Sequence, residues 1–174
     1  MSKPNFKSSM NFSTKIHDTL AVDLIYKPLG FINISSEVGT TLDMRKGIDY
    51  TAQIPESIGS EQFVNISIQE RFRNYDYAHY RDVTFRYDRP EKKSKSEYSF
   101  IEADFFLYGI ANKNENDFEW AYMFEVAPVI NALSSHSIQY DIRSNSSSGD
   151  TRFITISIDE IDKLGATIFK YHLT

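Results

Sequence analysis

The sequence predicts an α+β fold: a mixed, mostly antiparallel sheet with flanking helices. Three observations predict it. A leading segment carries Ile16, Leu20 and Leu24 at helical spacing, which makes one apolar stripe. Two long stretches, residues 62–73 and 118–126, alternate with period two, so successive side chains face opposite sides of a strand. Seven Gly and five Pro among 174 residues are few, which favours regular elements over loops.

Taken in order, residues 14–26 are expected to be a helix, capped by Ser13 or Thr14 and ended by Pro28 and Gly30. Residues 31–34 read as a short strand or an extended linker. Residues 36–45 are ambiguous, a short helical turn being one option. Residues 47–54 form a strand closed by Pro55. Residues 62–73 form the next, with Val64, Ile66, Ile68 and Phe72 on one face and Asn65, Ser67, Gln69, Arg71 and Arg73 on the other. The same alternation sends Glu70 to the apolar face.

Residues 74–81, rich in Tyr, connect to a strand at 82–87. The charge run at 88–97 reads as an exposed hairpin connection. A long strand at 98–111 and a polar turn at 112–117 follow. Residues 118–126 then place Phe118, Trp120, Tyr122, Phe124 and Val126 on one side, a stripe read as core. Pro128 opens a short helix through Leu133, and residues 144–150 form a loop. A strand at 152–158 leads into a capping box, Ser157-x-x-Glu160, and a helix stopped by Gly165. No internal repeat or linker divides the chain, so residues 1–174 read as one domain.

Composition narrows the function. Hydrophobic residues make up 41% and charged residues 25%, as in soluble globular proteins. The absence of Cys excludes Cys-ligated zinc, thiol catalysis and disulfides together. No apolar run approaches the roughly 20 residues needed to span a bilayer, and the N-terminal residues are polar, so no membrane contact and a cytoplasmic protein are expected. A net charge of −5 argues against a broad DNA-coating role. It argues less against a nuclease, whose metal centre gathers carboxylates. The four histidines lack metal-ligand spacing, which argues against a histidine metal centre or a His-based catalytic pair.

The residues that carry chemistry sit on two strands. Asp49, in Gly47-Ile48-Asp49-Tyr50, is a carboxylate held in a strand. Twenty residues later (69 − 49 = 20), Gln69-Glu70-Arg71 puts an amide and a fixed cation on one strand face. Phosphodiester cleavage needs a divalent cation to polarise phosphate and activate water, and Mg²⁺ takes one or two carboxylates with waters or substrate oxygens. Asp49 suits the first ligand, Gln69 a neutral one, and Arg71 the stabilisation of charge on the phosphate.

This pattern resembles the PD-(D/E)XK nuclease superfamily, the restriction-endonuclease-like fold, and small nuclease-like proteins of bacterial and phage genomes. The likeness rests on Gly-Ile-Asp-Tyr, Ile-Gln-Glu-Arg-Phe-Arg and the later Ala103-Asp104-Phe105-Phe106-Leu107-Tyr108-Gly109, and covers roughly residues 37–111. It implies a metal-dependent nuclease using Mg²⁺ or Mn²⁺. Asp49, Gln69, Glu70 and Arg71 would form the catalytic centre, and Glu37 or Asp43 would supply the upstream acid ligand. Two departures stand out. Arg71 replaces the usual Lys and stays protonated, so it cannot act as a base. Gln69 replaces the usual acid and brings no charge to a metal. A centre degraded in this way would bind nucleic acid, or a protein partner, without cutting.

Nucleic acid, DNA first, is therefore the expected partner, and a homodimer is compatible with cutting two strands. Arg73, Arg81 and Arg86, interleaved with Tyr75, Tyr77, Tyr80 and Tyr87, suit phosphate contact and base stacking, or equally a sheet face in which Arg stems cover aromatic rings. Lys92, Lys93 and Lys95 would be phosphate contacts on a loop, or a solvated hairpin tip. Glu102 and Asp104 share a strand face and read as rim carboxylates or extra ligands.

Overall fold

A computed structural model describes residues 6–57, 60–88, 99–145 and 151–172. The leading helix is longer than its apolar stripe suggests. It runs as α1 (Phe6–Ile16) directly into a π-helical segment, His17–Tyr26, so Ser13 and Thr14 lie inside it rather than capping it. Bonds from residue i+5 back to i, such as Lys27 N–H to the Val22 carbonyl at 3.0 Å, widen each turn. That widening moves the buried face from Leu24 onto the pairs Ile16/His17, Leu20/Ala21 and Ile25/Tyr26.

Strands β1 (Ile32–Ser36), β2 (Tyr50–Pro55) and β3 (Phe63–Arg73) form an antiparallel meander. The chain then leaves this sheet for β4 (Asp82–Asp88) and returns as β5 (Phe105–Ala111), which lies parallel to β3. Strands β6 (Phe118–Glu125) and β9 (Thr167–Tyr171) add antiparallel neighbours, giving a six-stranded sheet ordered β1-β2-β3-β5-β6-β9. β4 belongs to a second, three-stranded sheet with β8 (Thr151–Ser157) and β7 (Asp141–Asn145), ordered β4-β8-β7.

The mixed, mostly antiparallel character is as expected. The division into two sheets is not, nor are β7 and β9. Of the strand expected at 98–111, residue 98 lies outside the described residues and the ladder runs from Phe105 onward. Just ahead of it the Asp104 N–H donates to the Ser67 carbonyl at 3.0 Å, and its carboxylate accepts from the Ser67 N–H and hydroxyl, both at 2.7 Å. Phe118 also departs from its expected face. A bulge between Ile110/Trp120 and Ala111/Phe118 inserts one residue, Glu119, and swings Phe118 to the opposite side.

Each face of the large sheet is covered. The leading helix packs Ile16, Leu20, Ile25 and Tyr26 onto Ile66, Ile68, Leu107 and Met123. On the other face, Phe106, Tyr122 and Phe124 meet Phe85, Ile154 and Ile156 of the small sheet and Val129 and Leu133 of α3 (Val126–Ser134). Phe106 stacks on Phe124 at 5.4 Å, and Phe85 meets Phe106 edge-on at 5.2 Å. Full burial of each such side chain contributes about 1.5–3 kcal/mol, so this aromatic layer fixes the small sheet against the large one. The final helix, α4 (Ile158–Lys163), starts where the capping box predicts, with the Ser157 hydroxyl accepting from the Glu160 N–H at 3.2 Å. Among the described residues, no helix is long and apolar enough to cross a membrane.

Candidate functional site

A short helix, α2 (Thr41–Lys46), delivers the chain to Asp49. The Thr40 hydroxyl caps it by accepting from the Leu42 N–H at 3.2 Å, and Gly47 ends it in the left-handed region at φ +59°. The Asp49 N–H then donates to the Ile68 carbonyl at 2.9 Å, so β2–β3 pairing begins at Asp49, one residue ahead of Tyr50. The carboxylate Oδ2 accepts from the Gln69 side-chain amide at 2.5 Å and from the Glu70 backbone N–H at 2.8 Å. A Cβ on residue 47 would stand 3.0 Å from the Gln69 Oε1, so Gly47 also makes room for that amide.

Burial, above all, pushes the Asp49 carboxyl up to about 7. The Glu70 N–H bond and the Arg71 charge pull it down, while the Glu70 and Asp43 charges push it further up. Arg71 shares the Gln69 face of β3. Its guanidinium donates to the Thr84 carbonyl of β4 and lies 5.9 Å from the Phe106 ring centroid.

The two expected upstream acids are close in the chain path but engaged locally. The Glu37 N–H donates to the Asp49 carbonyl at 2.7 Å, while its carboxylate accepts from the Thr40 and Thr51 hydroxyls at 3.4 Å each. Asp43 accepts from the Gly39 N–H at 2.7 Å. Among the described residues, no three His, Cys, Asp or Glu side chains come together to hold a metal. The groups at the centre are one carboxylate and one amide, and the amide turns its nitrogen, not its oxygen, onto Asp49. A single carboxylate is the least that Mg²⁺ takes from a protein, with water and substrate phosphate completing the shell.

Glu70 is placed elsewhere. Period-two geometry turns it to the opposite face of the large sheet, where its Oε1 meets His17 Nδ1 at 2.8 Å and accepts from the Tyr26 hydroxyl. It therefore does not join Asp49 in a ligand shell, contrary to its expected catalytic role. His17 stacks on Tyr50 with centroids 3.7 Å apart, and burial raises the Tyr26 hydroxyl well above its ordinary value. His17 and Glu70 thus form a buried pair between the leading helix and β3. Its members are 53 residues apart, beyond any local signal. The rim carboxylates are used structurally: Asp104 on Ser67, and Glu102 on Lys46 at 2.7 Å.

The expected basic residues separate. Arg73 lines a cleft of about 320 Å³ where the ends of β3 and β5 meet the polar face of the small sheet. Arg81 is exposed ahead of β4, its carbonyl accepting from the Ile158 N–H at 3.1 Å. Arg86 is half-buried on β4 and does not line the cleft. Lys92, Lys93 and Lys95 lie outside the described residues. The cleft gathers Tyr77, Tyr80, Tyr108 and Arg143, of which Arg143 had no signal in the sequence and Tyr108 entered only as part of the Ala103–Gly109 segment. Comparisons with protein-family models, curated proteins and solved structures find no match.

Proposed function

We propose that this protein is a metal-dependent nuclease hydrolysing phosphodiester bonds, with DNA as its first substrate class. One observation carries the reading. Asp49, at the head of β2, meets Gln69 on β3, with Arg71 two residues further along the same face. Around this pair stand a leading helix, a three-stranded meander and a strand parallel to its third member. Among the described residues, the connection from β3 to β5 carries β4.

Deprotonated Asp49 would hold Mg²⁺ or Mn²⁺, joined by the Gln69 amide oxygen once that amide turns over from its present N–H bond to Asp49. The cation would supply polarisation of the phosphate and an activated water. Asp49 must release its proton to act as a ligand, and a carboxyl near 7 does so within the physiological range. Arg71 contributes a charge that never titrates.

A second reading is binding without cleavage. It is favoured by the Arg71 guanidinium, which is turned onto the Thr84 carbonyl, and by the single carboxylate at the centre. Incubation with circular DNA, linear DNA and RNA in Mg²⁺ or Mn²⁺, with Asp49→Ala alongside, tests both. Metal-dependent cutting that vanishes in the variant supports the nuclease. Cutting retained by Asp49→Ala overturns the site, and no cutting on any substrate selects the binding reading.

A further inference from the structure

We infer that the cleft between the β3 and β5 ends and the small sheet binds one unpaired nucleotide, its phosphate on Arg73 and its base against Tyr80. The choice of nucleic acid as ligand rests on the function proposed above. The cleft itself shares no lining residue with the Asp49–Gln69 pair.

Size comes first. About 320 Å³ is at the lower end of small-molecule sites, so the cleft suits one nucleotide rather than a stretch of strand. Its rim then carries two large aromatics left open to solvent, Tyr77 at 46% and Tyr80 at 43% exposure. Each is tied to a cation: the Arg73 guanidinium lies 5.7 Å from the Tyr77 centroid, and that of Arg143 lies 5.9 Å from Tyr80. Exposed rings beside guanidinium groups are the combination that stacks bases and holds phosphates along single strands.

Charge sets the orientation. Arg143 is already paired with Asp82 at 3.3 Å and Asp141 at 3.4 Å, whereas no carboxylate among the described residues pairs with Arg73. A phosphate beside Asp82 would be repelled, so it belongs at the Arg73 end. The base then falls at the Tyr80 end, where the Asp82–Arg143 pair offers an acceptor and donors to its edge. Deeper in, Tyr108 and Thr84 place two hydroxyls 3.4 Å apart, and Thr155 adds a third polar group. A base in a duplex has its Watson–Crick edge taken by its partner and its faces by its neighbours, so only an unpaired base can stack on Tyr80 and offer that edge to the cleft.

The source, a free nucleotide or a nucleotide within a strand, is settled by experiment. Fluorescence anisotropy of labelled DNA and RNA single strands about eight nucleotides long, within the span of single-strand sites, is measured in EDTA. Nucleoside 5′-monophosphates serve as competitors and a duplex of equal length as the comparison. Single-strand binding that is displaced by monophosphates supports the cleft with a free nucleotide as its ligand. Single-strand binding that monophosphates do not displace supports it with a strand. In either case Tyr80→Ala should weaken binding at least about fivefold, the loss one stacked base accounts for, and Arg73→Ala should weaken it as well. Unchanged affinity in both cleft variants, preference for the duplex, or no binding of any probe overturns the proposal. Working in EDTA separates this result from the cleavage assay, which can fail while binding stands.

Discussion

Asp49 Oδ2 accepts two hydrogen bonds, from the Gln69 amide at 2.5 Å and from the Glu70 backbone N–H at 2.8 Å, and neither uses Oδ1. Both bonds would also be made by a neutral side chain of the same shape. Asp49 therefore carries a carboxyl near 7 in a place that tolerates its protonated form.

Stability should follow from that shift. The folded carboxyl titrates near 7 and the unfolded one near its ordinary 3.8, so between these values the folded state keeps a proton the unfolded state releases. This contribution is complete below the unfolded value and is lost as pH rises through 7. Asp49→Asn keeps the acceptor and does not titrate. Urea denaturation should show the variant gaining on wild type as pH rises from 4 to 8, by on the order of 2–4 kcal/mol. Parallel pH profiles for the two proteins would refute the buried, shifted carboxyl.

Gly47 and Gly39 allow strain and crowding to be separated. Both have positive φ, +59° and +81°, but a Cβ at 47 meets Gln69 Oε1 at 3.0 Å while one at 39 meets nothing within 4 Å. Gly39→Ala should cost about 1 kcal/mol, from backbone strain alone. Gly47→Ala should cost more, by about a further 1 kcal/mol, because it displaces the Gln69 amide. Equal losses in thermal denaturation would show that Gly47 serves only the helix end.

The buried trio on the other face gives a third prediction. Glu70 rests on His17 and Tyr26, all of them buried or nearly so. His17→Leu leaves the carboxylate with one partner and should cost about 3–5 kcal/mol. Adding Glu70→Leu should restore much of that loss, because no buried carboxylate then remains. A double variant no more stable than His17→Leu would mean that packing, rather than pairing, holds the helix to β3.

How much of this was legible follows from the period of the pattern. In β3 one face is apolar, so alternation alone put Gln69 and Arg71 together and sent Glu70 across the sheet. The partner it would find there, His17, could not be read, because the contact joins elements 53 residues apart. The parallel pairing of β3 with β5 is equally non-local. Strand β7 gave no signal for a different reason. Its one large apolar residue, Ile142, is 46% exposed, so Asp141–Asn145 carries no buried face to betray it. The cleft needed β7 to supply Arg143, and so it stayed hidden with it.

The proposed metal centre makes the last prediction, and Gln69 is the residue to change. At pH 8 Asp49 is largely ionised, and saturating Mn²⁺, about 100-fold above its Kd, should stabilise wild type by about 2.7 kcal/mol. At pH 6 protons compete for the carboxylate and the gain should shrink, while Asp49→Asn should show none at either pH. Gln69→Glu places a second carboxylate against the first. Without metal the two must share a proton or repel, so the variant should melt below wild type at pH 8. With Mn²⁺ the order should reverse, because two carboxylates now face one cation. Thermal shift with and without metal reads all three proteins in one experiment. A metal-independent melting point for both wild type and Gln69→Glu would remove Asp49 from any metal chemistry and leave this face of β3 to binding alone.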